Sequence, residues 1–443
     1  MQDSLKRQFW RFLVPTVAAM MVSGLYQFVD GLFVGRQIGA VGLAAINIAW
    51  PVIGLVYGAA LMVGIGAGAL SSMARGEGDG VRAARWLGSG LSLLLLMAMG
   101  CGALLLTVGE SLLTLQQASG EVLAMARDYL QVLAWGCPLA LGGIAIPFLV
   151  RNDDAPNLST LLIGGGALAN IALDYLFIVQ LDWQLQGAAL ATVLSQALVL
   201  LLGLAYFRSS LCRTRLSLAD AGLSLADAKA ILSLGMASWL MYLYYSFITA
   251  VHNAMLLEYG DAIQVGAFSI VGYLCVVYYL FAEGVAGGAQ PLLSYLFGAR
   301  EYPSLQKVMG WALGLVLISG LLTVLLFYWV PTPLIHAFNS EDTALFDATR
   351  QGLAWHTWAL YFDGIIFVIA AYFQSVGDGR RAGLITLANL ALQLPFLLLL
   401  PIWLGVQGVW ISVPLSNTLL VIWVLWLLWQ DWQRRGLPLR LSN

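Results

Sequence analysis

The chain has 443 residues, 60% of them hydrophobic and only 10% charged, with a formal net charge of −2. A soluble chain of this length carries about 25% charged residues and divides into two or three domains. With a mean hydropathy of +0.84, this one cannot cover a water-facing surface, which excludes soluble enzymes and nucleic-acid binders and leaves an all-α polytopic membrane protein.

The N-terminal MQDSLKRQFWR leads into an apolar segment too long for a signal-peptide core and without a small-residue cleavage site, so no cleavable signal is expected. Apolar windows near the ~20-residue spanning length predict twelve spans. They run over 12–34, 46–73, 86–108, 128–150, 157–179, 187–207, 230–257, 262–297, 308–330, 352–376, 382–403 and 409–430. The eighth is too long for one simple span and is expected to tilt or to continue into a loop. With the N-terminus placed in the cytoplasm, every Lys and Arg except Arg36, Arg127 and Arg350 falls on the inner side. That is the positive-inside pattern, with both termini cytoplasmic.

The long inside segment 209–229 divides the chain into an N-lobe of six spans (1–208) and a C-lobe of six (230–443). Val63–Ala69, VGIGAGA, resembles Glu283–Ala289, EGVAGGA. Gln186-Gly187 with Ser195-Gln196 resembles Gln407-Gly408 with Ser416-Asn417, and Leu43–Ile48 lies over Val265–Ile270. Three islands at one offset of about 220 residues point to duplication. An even number of spans per half puts the pseudo-two-fold axis along the membrane normal. On this register Val251 or His252 falls opposite Asp30 and Pro395 opposite Asp174.

No GxSxG, HExxH or P-loop occurs. Cys101, Cys137, Cys212 and Cys275 are scattered without metal-ligand spacing. The informative residues are polar groups inside spans. Asp30 lies among Phe28, Val29, Leu32, Phe33 and Val34 with no cation beside it in sequence, and an acid at mid-helix costs roughly 2.5–3.5 kcal/mol. Asn170 and Asp174 share a helix face at i,i+4. By the predicted topology, Asp30, Asp174 and Thr192 sit at similar depth in the outer half of the first lobe. Two carboxylates, an amide oxygen and a hydroxyl make either hard oxygen ligands for a small cation or a coupled proton site.

The second half carries its acids elsewhere, Glu283 in span eight and Asp363 in span ten, both candidates for drawing a cationic compound into a central cavity. Tyr273 and Tyr278, with Met241, Tyr242, Tyr244, Tyr245, Phe247, Tyr279 and Phe281, are candidates for a cation–π wall. His252 and His356 read as separate packing histidines, and Glu258 and Asp261 as a solvated outer turn. Gly64, Gly66, Gly68, Gly284, Gly287 and Gly288 permit close helix packing, and Pro15, Pro51 and Pro291 are placed to kink spans one, two and eight.

FVDGLFVGR at 28–36, RND at 151–153, NIALDYLFI at 170–178, GAALATVLSQ at 187–196 and EGVAGGAQPLLSYLFGAR at 283–300 together resemble the multidrug and toxic compound extrusion (MATE) family, bacterial type, over essentially the whole chain. The resemblance implies two six-helix lobes in a V, alternating access, and export of mostly cationic organic compounds in exchange for Na⁺ or H⁺. It also implies a bacterial inner-membrane location and no cofactor beyond the coupling ion. The family's first-lobe cation site falls on Asp30, Asn170, Asp174 and Thr192, which would be metal ligands if the ion is Na⁺. Glu283 lies in a motif of one bacterial subgroup, and Asp363 resembles a span-ten acid of another. A monomer in contact with lipid is expected. A flippase for lipid-linked sugars is the alternative; it asks for a cationic groove, whereas no Lys or Arg is expected well inside a span. A polytopic lipid-modifying enzyme would want an interfacial cluster, and only RND and GDGRR qualify, both reading as positive-inside turns. A channel would betray itself by uncoupled conductance.

Overall fold

A computed structural model describes residues 2–116, 118–338 and 342–436, and all regular structure among them is helical. In the first half, α1 covers Gln2–Gln37, α2 Ala40–Gly76, α3 Gly80–Leu115, α4 Gly120–Asn152, α5 Pro156–Asp174 and α6 Gln184–Arg208. In the second, α7 covers Leu225–Tyr259, α8 Ala262–Gly298, α9 Tyr302–Trp329, α10 Pro331–His336, α11 Thr343–His356, α12 Ala359–Ser375, α13 Gly379–Leu404 and α14 Val406–Arg434. Eleven helices are each long and apolar enough to cross a membrane, and the bent pair α11–α12 supplies a twelfth crossing. Arg440, one of the basic residues assigned to the inner side, lies outside the described residues.

The helices overrun the predicted spans because their ends are held by polar caps that hydropathy does not register. The side chains of Asp79, Asp261 and Asp378 each accept the backbone N–H three residues on, at 2.9–3.0 Å. Ser224 and Asp227 form a reciprocal capping box that starts α7 five residues early. The eighth span is one helix of 37 residues, about 55 Å at 1.5 Å per residue. It therefore extends past a ~30 Å hydrocarbon core without breaking. Pro15, Pro51 and Pro291 lie inside α1, α2 and α8, none of which they interrupt. The tenth span departs from expectation: it is two helices meeting at 49° across Thr357 and Trp358.

The segment 209–229 is folded against the bundle. Ser89 and Ser92 on α3 donate to the carbonyls of Gly222 and Ala221, both at 2.7 Å, and Arg85 pairs with Asp227 at 2.9 Å.

Neighbour relations repeat between the halves: α1 lies on α5 as α7 on α13, α5 on α6 as α13 on α14, and α2 on α3 and α4 as α8 on α9 and α12. The halves are joined crosswise, α1 along α8 and α2 along α7. Where α2 crosses α8, a Cβ on Gly76 would overlap the Tyr295 carbonyl, and one on Gly298 would overlap the Met73 carbonyl. Each residue of the second contact lies 222 positions from its counterpart in the first, so this crossing is a reciprocal pair. Gly66 and Gly235 likewise bring α2 and α7 to backbone contact at Ile231 and Met62. These approaches gather at the end of the bundle that carries the basic loops. At the opposite end no glycine among the described residues meets backbone of the other half, so the halves are sealed against each other at the basic end.

Candidate functional site

In the first half, α5 stays α-helical through Asp174 and then widens into a π-helical turn over Tyr175–Gln180. Such turns sit often at functional positions. Phe177 stacks on Trp183 at 5.1 Å and closes the widened turn. Asp174 and Asn170 are buried on one face. The half-buried Asp30 of α1 meets Asp174 closely enough for one carboxyl to hydrogen-bond the other when a proton is present. Tyr26, Tyr57 and Tyr129, from α1, α2 and α4, lie within electrostatic reach of Asp30; sequence reading passed over all three. Asp30 Oδ1, both Asp174 oxygens and both amide atoms of Asn170 are buried with no hydrogen-bond partner among the described residues.

Buried polar groups in folded proteins are nearly always satisfied. The two carboxyls and the Asn170 amide oxygen supply acceptors that fit a proton or a small hard cation such as Na⁺. Thr192 stands apart in one respect: its hydroxyl donates to Ala188 O in its own helix at 3.1 Å.

A cavity of about 210 Å³ lies between the halves, bordered by Met20, Leu61 and Arg151 of the first and mostly by residues of the second. Tyr242, Tyr244 and Tyr245 of α7, Tyr279 and Glu283 of α8, and Asp363 of α12 line it. Asp363 is buried and accepts from Tyr279 Oη at 3.0 Å and from Asn417 Nδ2 at 2.7 Å. Glu283 points into the open space.

Four expectations need correction here. Tyr273 is 62% exposed and stacks on Phe338 away from the cavity. Tyr278 is turned inward, its hydroxyl donating to Val316 O at 3.2 Å, so neither tyrosine belongs to the wall. His252 and His356 are not separate: their rings meet edge-on at 6.2 Å beside Phe268, and both line the cavity. Each Nδ1 bonds a main-chain carbonyl, of Ile248 and Trp410 respectively. The fourth is Arg151, which reads in sequence as a turn residue. It is only 3% exposed, on the last turn of α4, and faces the cavity. The signal was available: RND follows an unbroken apolar run, so its first residue still belongs to the helix.

At the basic end Asn152 ties the halves together. Ser72 Oγ donates to Asn152 Oδ1 at 3.0 Å, Asn152 Nδ2 donates to Gln290 Oε1 at 3.1 Å, and Arg75 donates to the Asn152 carbonyl. Asp153 accepts from Tyr206 Oη and Arg213 N–H at 2.9 and 2.8 Å. Burial pushes its carboxyl above the usual range, opposed by these hydrogen bonds.

The MatE family model matches residues 15–176 and 237–399. The multidrug export protein MepA of Staphylococcus aureus (strain N315) is 24% identical over 412 residues, covering 92% of this chain and 90% of its own. Among solved structures, an outward-facing multidrug resistance MATE family transporter of the MOP superfamily superposes with a TM-score of 0.90 at 23% identity, over 98% of this chain and 96% of its own. A MOP superfamily transporter from Pyrococcus furiosus, described as having a binding pocket of reverse polarity, superposes with a TM-score of 0.89 at 24% identity, again over 98% and 96%.

Proposed function

Since the chain belongs to the MatE family of membrane transporters, we propose that it is a secondary antiporter that expels amphipathic, mostly cationic organic compounds in exchange for Na⁺ or H⁺. The observation that carries this reading is the Asp30–Asp174 carboxyl pair with Asn170 in the first half, together with an aromatic, acid-bearing cavity lined by both halves. The S. aureus relative's name, a multidrug export protein, supports the same cargo class.

Two adjacent carboxyls, one of them fully buried, do not readily both stay ionised without a cation. A proton or Na⁺ on the pair is therefore held most tightly when the surrounding helices close over it. Such a ligand shifts the balance between the two arrangements of the lobes only by its difference in affinity for them. Loading from outside would favour one arrangement and release of the organic compound; unloading inside would reset it. Thr192 is proposed as an accessory ligand, recruited by rotation of its hydroxyl. The basic end is assigned to the cytoplasm on the positive-inside pattern, which makes the present arrangement the outward-open one. Residues 1–208 and 230–443 are taken as the two moving lobes.

A lipid-linked sugar flippase would need several cations for a pyrophosphate. Arg151 is the one Lys or Arg among the described residues lining the cavity, and Glu283 faces it.

The test is dye efflux from proteoliposomes under separate Na⁺ and pH gradients, with Asp30→Asn beside the parent. One gradient should drive efflux and Asp30→Asn should abolish it while the protein remains folded and inserted. Undiminished gradient-driven transport by that variant would refute the assignment.

A further inference from the structure

Arg151 has no role in the exchange just described. Its guanidinium lies over the Phe148 ring at 4.7 Å, and its Nε is buried without a partner among the described residues. The side chain crosses from α4 to α8, where the Cβ position of Gly287 would stand 3.5 Å from both Nη atoms. Glu283 lies one helical turn further along the same face of α8. Its charge acts on Arg151, yet the two do not close to the 4 Å of an ion pair. A fixed cation and a fixed anion, from different halves, thus border one cavity about a helical turn apart, with the phenols of Tyr242 and Tyr245 in the same wall.

We propose that Arg151 and Glu283 form a two-pole subsite for zwitterionic aromatic compounds, Arg151 taking a carboxylate and Glu283 the cationic end. The chemistry follows from the donors. A guanidinium presents a planar fork that matches a carboxylate, and Arg151, only 3% exposed, retains an unpartnered N–H, where burial strengthens such a bond. The inference rests on the cavity being the compound site of the proposed exporter, and it names a class for which a single cation-attracting acid gives no account.

Rhodamine 110, a free carboxylic acid, and rhodamine 123, its methyl ester, share one aromatic cation and differ at the pole in question. Their dissociation constants for the purified protein are measured by fluorescence polarisation, which needs no gradient. Arg151→Gln is expected to move the acid-to-ester ratio of constants about 10-fold or more against the acid, the scale of a hydrogen bond to a charged group. Glu283→Gln is expected to move it the other way, since the ester loses its one charge partner and is left facing Arg151. Arg151→Lys keeps the charge and loses the fork. It should shift the ratio several-fold in the same direction as Arg151→Gln, and it carries the test if that variant does not fold. A ratio unchanged within about 3-fold in the Arg151 variants overturns the subsite. A protein that binds both dyes with the expected ratios but pumps neither leaves the subsite standing and refutes the exporter.

Discussion

The crossing of α2 and α8 allows a prediction worked from geometry. Gly298→Ala places a methyl inside the van der Waals shell of the Met73 carbonyl oxygen. To return that pair to 3.0 Å, the two helices must part by about 1 Å, and neither neighbour is a side chain that can swing away. Overpacking of this kind costs about 1–3 kcal/mol. Because the contact belongs to the arrangement closed at the basic end, the cost falls on that arrangement, and the balance moves about 5- to 150-fold away from it. Gly76→Ala makes the reciprocal overlap with the Tyr295 carbonyl and should shift the balance to a similar extent.

Nitroxide labels at Leu43→Cys and Leu257→Cys, both exposed near the open ends of α2 and α7, report the separation by double electron–electron resonance in a background without the native cysteines. Both alanine variants should raise the fraction of short distances. No redistribution in either, or opposite redistributions in the two, would refute the account of the crossing as a reciprocal seal.

Asn152→Ala removes bonds to Ser72 and Gln290 and leaves Gln290 without one buried partner, so the purified protein should lose about 1–3 kcal/mol; an unchanged melting temperature would contradict the latch. Tyr242→Ala and Tyr245→Ala should each weaken binding of a cationic dye several-fold, the range of a cation–π contact, whereas Tyr273→Ala should not, as fluorescence polarisation would resolve. Asp363→Asn leaves a neutral amide between Tyr279 and Asn417. It should lower cationic dye binding more than Tyr279→Phe does; equal losses would make the hydroxyl, not the charge, the important group.

Asp30 and Asp174 were legible in the sequence because an acid in an apolar run has few structural reasons to be there, and topology alone put both at one depth. Their tyrosine surround was not legible: Tyr26, Tyr57 and Tyr129 come from three helices, and a phenol in a span attracts no notice. Hydropathy found the crossings but treated Arg151 as punctuation, since a window average cannot tell a helix's last buried turn from the loop after it. Tyr273 and Tyr278 were misplaced because α8 is helical throughout. A run of aromatics therefore points around the whole circumference, and only Tyr279 of the three reaches the cavity. The break at Thr357 and Trp358 carries neither proline nor glycine, so nothing local announced it.

The crosswise joining of the halves bears on how the chain is made. The face that α2 presents to α7 carries Gly66 and the Met62 carbonyl, and its proper cover is synthesised about 165 residues later. During synthesis the first six helices must wait in the bilayer with that seam against lipid, or against a temporary neighbour, until α7 and α8 emerge. A chain severed within 209–229 should therefore still assemble when both pieces are made together, whereas the first piece alone should be cleared by membrane proteolysis. The seam that closes the finished transporter at its basic end would then also be the signal that its synthesis is complete.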